Sequence, residues 1–183
     1  MTASRIAVLL LLVLVAVPAR AAGLGDFEGV FVGVSETFDG DGHSLDKRDV
    51  DMVITGMGGG GFSIELTSVA LVDGRRDVPG VRRRAFVGEF VPSENGKYFV
   101  AKAPFEPFEE RKSTEMIAGA PLEWAEIEGN SLIIYTFAVL DDGRFELQVY
   151  ERALDGDIMR TLYERHLDGT LERQTIGQMV RSD

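Results

Sequence analysis

The sequence predicts an all-β domain, an antiparallel meander of about ten strands closing into a small barrel behind an N-terminal leader. Three observations carry this reading. Turn dipeptides recur every thirteen residues along the last third of the chain, at Gly129-Asn130, Asp142-Gly143, Asp155-Gly156 and Asp168-Gly169. Asp-Gly supplies the positive φ angles of a tight hairpin turn, so strands of about eleven residues between such turns make a meander. Helical periodicity is nearly absent beyond the leader, and no low-complexity linker divides the chain.

The leader comes first. Arg5 supplies a positive start, residues 6–17 form an unbroken apolar run, and Pro18 ends it. Ala19-Arg20-Ala21 matches the small-x-small rule for cleavage after Ala21. As a helix the run would extend about 18 Å, short of the roughly 30 Å hydrocarbon core, which favours a cleaved signal over a membrane anchor. The expected organisation is a secretory signal peptide at 1–21 and a single barrel domain at 22–183. A periplasmic or secreted location follows.

Cleavage at that point removes Arg5 and Arg20 and leaves a formal charge of −13, against −11 for the whole chain. Such a balance disfavours nucleic acid and anionic membranes as partners. The expectation is therefore no nucleic acid and no stable membrane insertion of the mature chain. With no cysteine, an exported domain has no disulfides and must rely on burial and sheet pairing.

Taken in order, residues 27–38 read as a first strand, with Gly29 and Gly33 permitting strong coiling. A polar loop at 39–46 leads to a strand at 49–55, a glycine turn at 56–61 and a strand at 62–72. A basic loop around Gly80 precedes a strand at 84–91, and Asn95-Gly96 turns the chain into 97–102. Residues 103–121, with three prolines, read as a long loop flanking a barrel mouth, or as a lid. Residues 122–127 open the regular meander.

Two-residue turns at Asp155-Gly156 and Asp168-Gly169 set a register across the last strands. One face collects Leu132, Ile134, Ala138, Leu140, Phe145, Leu147, Val149, Ile158, Leu162, Leu171 and Met179. The other collects Tyr135, Phe137, Tyr150, Arg152, Met159, Tyr163, Arg165, Glu172, Gln174 and Gln178. Burial energetics favour the aliphatic face as the interior. The same register opposes Glu151 to Arg160, Glu164 to Arg173, and Arg165 to Glu172. Arg160, Glu164 and Arg173 then stand as polar groups on a greasy interior wall. There a forked guanidinium could hold the carboxylate of a lipid-like ligand; a wet ion-pair ladder at the barrel end is the plainer alternative. The repeated Tyr-Glu-Arg-x-Leu at Tyr150 and Tyr163 covers sheet surface or forms an aromatic–arginine recognition strip.

Other constellations say less. Asp39-Gly40-Asp41-Gly42-His43 has alternating oxygen donors, but Ser44 and Val50 stand where a calcium loop needs Gly and Glu. Gly58 to Gly61 lacks the Gly-Lys-Ser/Thr of a phosphate loop. Arg75, Arg76 and Arg82 to Arg84 form a basic cluster for an anion or for a solvated rim. His43 and His166 have no recognisable nucleophile or metal partner, and Trp124 reads as a core or plug residue. No metal, cofactor or catalytic residue is expected, and the chain reads as non-enzymatic.

The chain resembles the calycins, the superfamily of lipocalins and fatty-acid-binding proteins. Gly25-Asp26-Phe27-Glu28-Gly29 sits where such barrels open with Gly-x-Trp, with Phe27 in place of Trp. Arg181 sits where lipocalins carry an Arg over the first strand's aromatic, and Arg173-x-Thr175 partly echoes the Arg-x-Tyr that holds fatty-acid carboxylates. The resemblance implies a ligand-binding barrel, here for a small amphipathic ligand. A filled structural or interaction domain contacting another envelope protein is the competing expectation.

Overall fold

The computed structural model describes residues 21–102 and 121–182; the leader and most of the proline-rich stretch at 103–121 lie outside the described residues. Ten antiparallel strands close into one barrel, each paired with its sequence neighbours and β1 with β10. The predicted all-β meander is thus the observed architecture. The strands are β1 (Gly29–Asp39), β2 (Ser44–Gly56), β3 (Phe62–Ala70), β4 (Arg83–Pro92) and β5 (Phe99–Ala101). The meander continues through β6 (Leu122–Glu128), β7 (Ser131–Val139), β8 (Phe145–Asp155), β9 (Ile158–Leu167) and β10 (Thr170–Ser182).

One element departs from the strand reading at the start. Leu24–Phe27 forms a single helical turn, α1, which drives Phe27 into the barrel base with no exposed surface. Arg181 of β10 holds this turn. Its guanidinium donates to the carbonyls of Glu28 and Asp26, the latter at 2.7 Å, and lies 4.6 Å from the Phe31 ring centroid. The barrel base is then filled by Phe31, Ile54, Phe62, Ile64, Phe90 and Leu132, all essentially buried. Phe62 stacks on Phe90 at 5.0 Å and meets Phe99 edge-on at 5.2 Å. Aromatic plates from the consecutive strands β3, β4 and β5 close this half against water.

The turn positions agree with the thirteen-residue period, but two single-residue events change which face is which. The β7–β8 connection is a three-residue loop, Asp141 to Gly143, because Leu140 N–H donates to the Arg144 carbonyl at 2.8 Å and Val139 pairs with Phe145. A two-residue turn would pair one position differently, and a one-residue slip sends every side chain to the opposite face. The second event is a β-bulge at Glu172. Leu171 pairs with His166, but Arg173 pairs with Arg165. The polar–aromatic row Glu146, Gln148, Tyr150 and Arg152 therefore faces inward on β8, as do Tyr163 and Arg165 on β9. Leu147, Val149 and Leu162 face outward, and Met179 and Arg173 face inward beyond the bulge.

The three expected ion pairs do not form as paired. Glu151 opposes Leu162 and Arg160 opposes Ala153, since the β8–β9 turn is Gly156-Asp157. Glu164 opposes Gln174, and Arg165 opposes Arg173 on one side and Gln148 on the other. Trp124 is also relocated: it alternates with buried Ala125 and stacks on Tyr135 at 4.9 Å on the outer surface.

Candidate functional site

Above the aromatic base the barrel opens into a cavity of about 620 Å³. Met52, Met179 and Arg152 mark its floor. Val50, Leu66 and Phe86 line an apolar wall, and Ser35, Thr37, Tyr150, Thr161, Tyr163 and Thr175 line a polar one. Small inward residues keep the space open: Gly177 lies between Ser35 and Thr161, where a Cβ would crowd the Thr161 hydroxyl. The mouth carries Asp46, Arg48, Arg82, Arg84 and Arg173.

Arg152 is the most consequential residue. It is 5% exposed, its Nε stands 3.3 Å from Met52 Sδ, and Nη1 reaches the Tyr150 carbonyl at 3.4 Å. Among the described residues, no carboxylate lies within 4.0 Å of it. Burial pushes its guanidinium down to about 10, and the Tyr150 phenol opposes that shift only in part. Buried charges are ordinarily paired or neutralised, and a guanidinium with no carboxylate beside it on a cavity floor can receive an anion.

Arg48 is equally buried but differently placed. Its Nε donates to Asp46 at 3.1 Å and its Nη1 to the Ser68 hydroxyl at 3.3 Å. Nη2 stands 2.9 Å from Asp46 yet is out of line for a hydrogen bond, so its N–H groups have no acceptor. Burial pushes the Asp46 carboxyl up, but hydrogen bonds from Arg48 and Thr37 outweigh it and hold the group below its ordinary value.

Four residues of the polar wall are satisfied within the wall itself. Tyr150 and Tyr163 lie 4.7 Å apart, and both hydroxyls reach Gln148 Oε1, at 2.6 and 3.3 Å. Burial raises both phenols, so they stay protonated. Thr37 and Thr175 share a hydroxyl hydrogen bond at 3.0 Å. Arg165 donates through Nε to Glu146 at 2.7 Å across β8 and β9.

Of the three residues singled out from the sequence, only Arg173 lines the cavity. Arg160 pairs with Asp155 at 3.0 Å and borders a shallow outer groove with Glu36, Ile176 and Gln178. Glu164 contacts His166 and Gln174, at 3.2 and 3.1 Å, away from the cavity. Arg152 lay in the face assigned to the outside; the recurring Tyr-Glu-Arg was the signal that could have found it. The basic loop is largely self-neutralised: Arg75 pairs with Asp77, Arg76 with Asp49 and Asp51, and Arg82 with Asp46. Asp39, the first donor of the calcium-like loop, instead accepts the Asp41 and His43 N–H groups of its own turn.

These features define an up-and-down antiparallel barrel with an apolar base, an amphipathic chamber and a basic mouth. No protein-family model matches the sequence, and no curated protein does. The fold is similar to a solved structure, the S-type phycobiliprotein lyase CPES from Guillardia theta, with a TM-score of 0.55 at 9% identity. That similarity covers 87% of this chain and 90% of the other.

Proposed function

We propose that this chain is an exported carrier: a cofactor-free, non-enzymatic barrel that holds a small amphipathic anion in its chamber. The observation that carries the reading is Arg152, a buried guanidinium on the cavity floor with no acidic partner among the described residues. The chamber also exceeds the roughly 300 Å³ at which ligand pockets begin. Its lining holds five arginines (Arg48, Arg82, Arg84, Arg152 and Arg173) against Asp46 and Glu151, opposite in sign to the chain as a whole. The phycobiliprotein lyase lends this reading its architecture and nothing of its substrate. Arg173 keeps a binding role at the mouth, and Arg152 supplies the deep anchor. Export rests on the leader and cleavage after Ala21.

Native mass spectrometry of protein purified from its own host, followed by solvent extraction, tests the reading. A co-purifying anionic amphiphile, lost in Arg152→Met, is the expected result. An empty barrel that neither dodecanoate nor dodecanedioate stabilises would remove it. The outward valines of β1, with Val34 55% exposed, together with Ile176 and Val180, favour an interaction domain as the second reading. A stoichiometric protein partner on an empty barrel would decide for that alternative.

A further inference from the structure

The chamber holds two anion-seeking points at different depths. The lower is the Arg152 guanidinium at Met52. The upper is Arg48 Nη2, which stands 2.9 Å from Asp46 without a hydrogen-bond acceptor, and Arg84 and Arg173 line the same mouth. Among the described residues, neither Arg84 nor Arg173 has a carboxylate within 4.0 Å. Met52 and Arg48 are four residues apart on β2, and Arg48 leans back toward Ser68, so the two points are separated by on the order of 10 Å.

What lies between them asks for little polar contact, the Ser35 and Thr161 hydroxyls apart. Val50, Leu66, Phe86 and Met179 are apolar. The facing hydroxyls of Thr37, Thr175, Tyr150 and Tyr163 are already engaged with one another or with Gln148. A body lying in the middle therefore gains from burial and loses little by being unable to hydrogen-bond. A ligand with a single acidic head on Arg152 would leave Arg48 Nη2 without an acceptor, and Arg84 and Arg173 without a carboxylate, among the described residues.

Resting on the carrier reading above, we infer that the ligand class is an amphiphile with an acidic group at each end of an apolar body. One acid sits on Arg152 at the floor and the other on Arg48 with the mouth arginines. This excludes ordinary single-headed fatty acids as the preferred occupant.

Calorimetric titration of the folded domain with dodecanedioate and dodecanoate tests this, using wild type, Arg152→Met and Arg48→Met. Arg84→Gln is run beside them, because Arg48→Met deprives Asp46 of its closest partner. Wild type should bind the diacid at least tenfold more tightly than the monoacid. Arg152→Met should bring the two within about twofold, and the mouth variants should narrow the gap. Equal or tighter binding of the monoacid by wild type overturns the two-headed ligand while leaving a carrier. Binding of neither probe removes the carrier reading and this inference with it.

Discussion

Arg152 Nε meets Met52 Sδ at 3.3 Å across the barrel, a buried cation facing a thioether where a carboxylate would ordinarily stand. Sulfur is a weak acceptor, and one thioether with the Tyr150 ring, 5.9 Å away, cannot replace the hydration that the guanidinium gives up. The empty barrel therefore carries a standing cost at this position, and an entering anion would remove it.

Arg152→Met should then separate stability from binding. Replacing an unpaired buried charge with an apolar chain of similar length is expected to stabilise the empty barrel by about 1–4 kcal/mol. Urea denaturation reads this directly, and a destabilised variant would show that the guanidinium is satisfied after all. The advantage should shrink with pH. The folded value, about 10, lies below the unfolded one, so the penalty is fully present below pH 10 and fades above it.

Glu146 and Arg165 are predicted to be energetically coupled. Their side chains form a close ion pair on the inner face. A double-mutant cycle on Glu146→Ala and Arg165→Ala should give a coupling of at least about 0.5 kcal/mol. The same cycle on Glu164 and Arg173, which lie on opposite faces, should be additive within about 0.3 kcal/mol.

Acid should weaken the chamber wall through two carboxylates. Burial raises Glu146, but hydrogen bonds from Arg165 and Gln148 outweigh it, and Asp46 behaves likewise beside Arg48. Both folded values are depressed, so their contribution is present above the unfolded values near pH 4 and is lost as pH falls through the lower folded ones. Glu146→Gln combined with Asp46→Asn should flatten the acid limb of a stability–pH profile. An unchanged limb would place the acid sensitivity elsewhere.

Arg181→Ala should loosen the base of the barrel. It removes two charged hydrogen bonds to the α1 carbonyls and a cation over Phe31, at a cost of about 2 kcal/mol. Amide exchange should accelerate around Phe27 and spare β6 to β8.

Deleting Glu172 should be tolerated. Its neighbours Leu171 and Arg173 already pair with the adjacent residues His166 and Arg165, so removing it restores plain alternation without moving either face. Deleting Thr175 instead would invert part of the inner row and prevent a cooperative thermal transition.

The strand count and turn positions were legible because Asp-Gly and Asn-Gly pairs punctuate the chain. The interior was not. A third loop residue at Asp141 and one bulged residue at Glu172 each reverse the alternation, and neither has a composition that announces it. Burial reasoning strand by strand also ranked Leu147, Val149 and Leu162 above Tyr150 and Arg152 for the inside. The aromatic base built by Phe27, Phe31, Phe62 and Phe90 comes from distant parts of the chain and already supplies the dry core. The encounter of Arg152 with Met52 spans 100 residues and leaves no local trace.

The seam between β1 and β10 also dictates timing. Val30 pairs with Ser182, and Arg181 reaches back to Asp26 and Glu28, so the wall closes through partners more than 150 positions apart. During synthesis, nine strands can stand in order while β1 waits with an open edge for the tenth. Loop closure of this length makes ring formation the slow and late event of folding. Until Arg181 has emerged, the chamber has no wall on that side and can hold nothing.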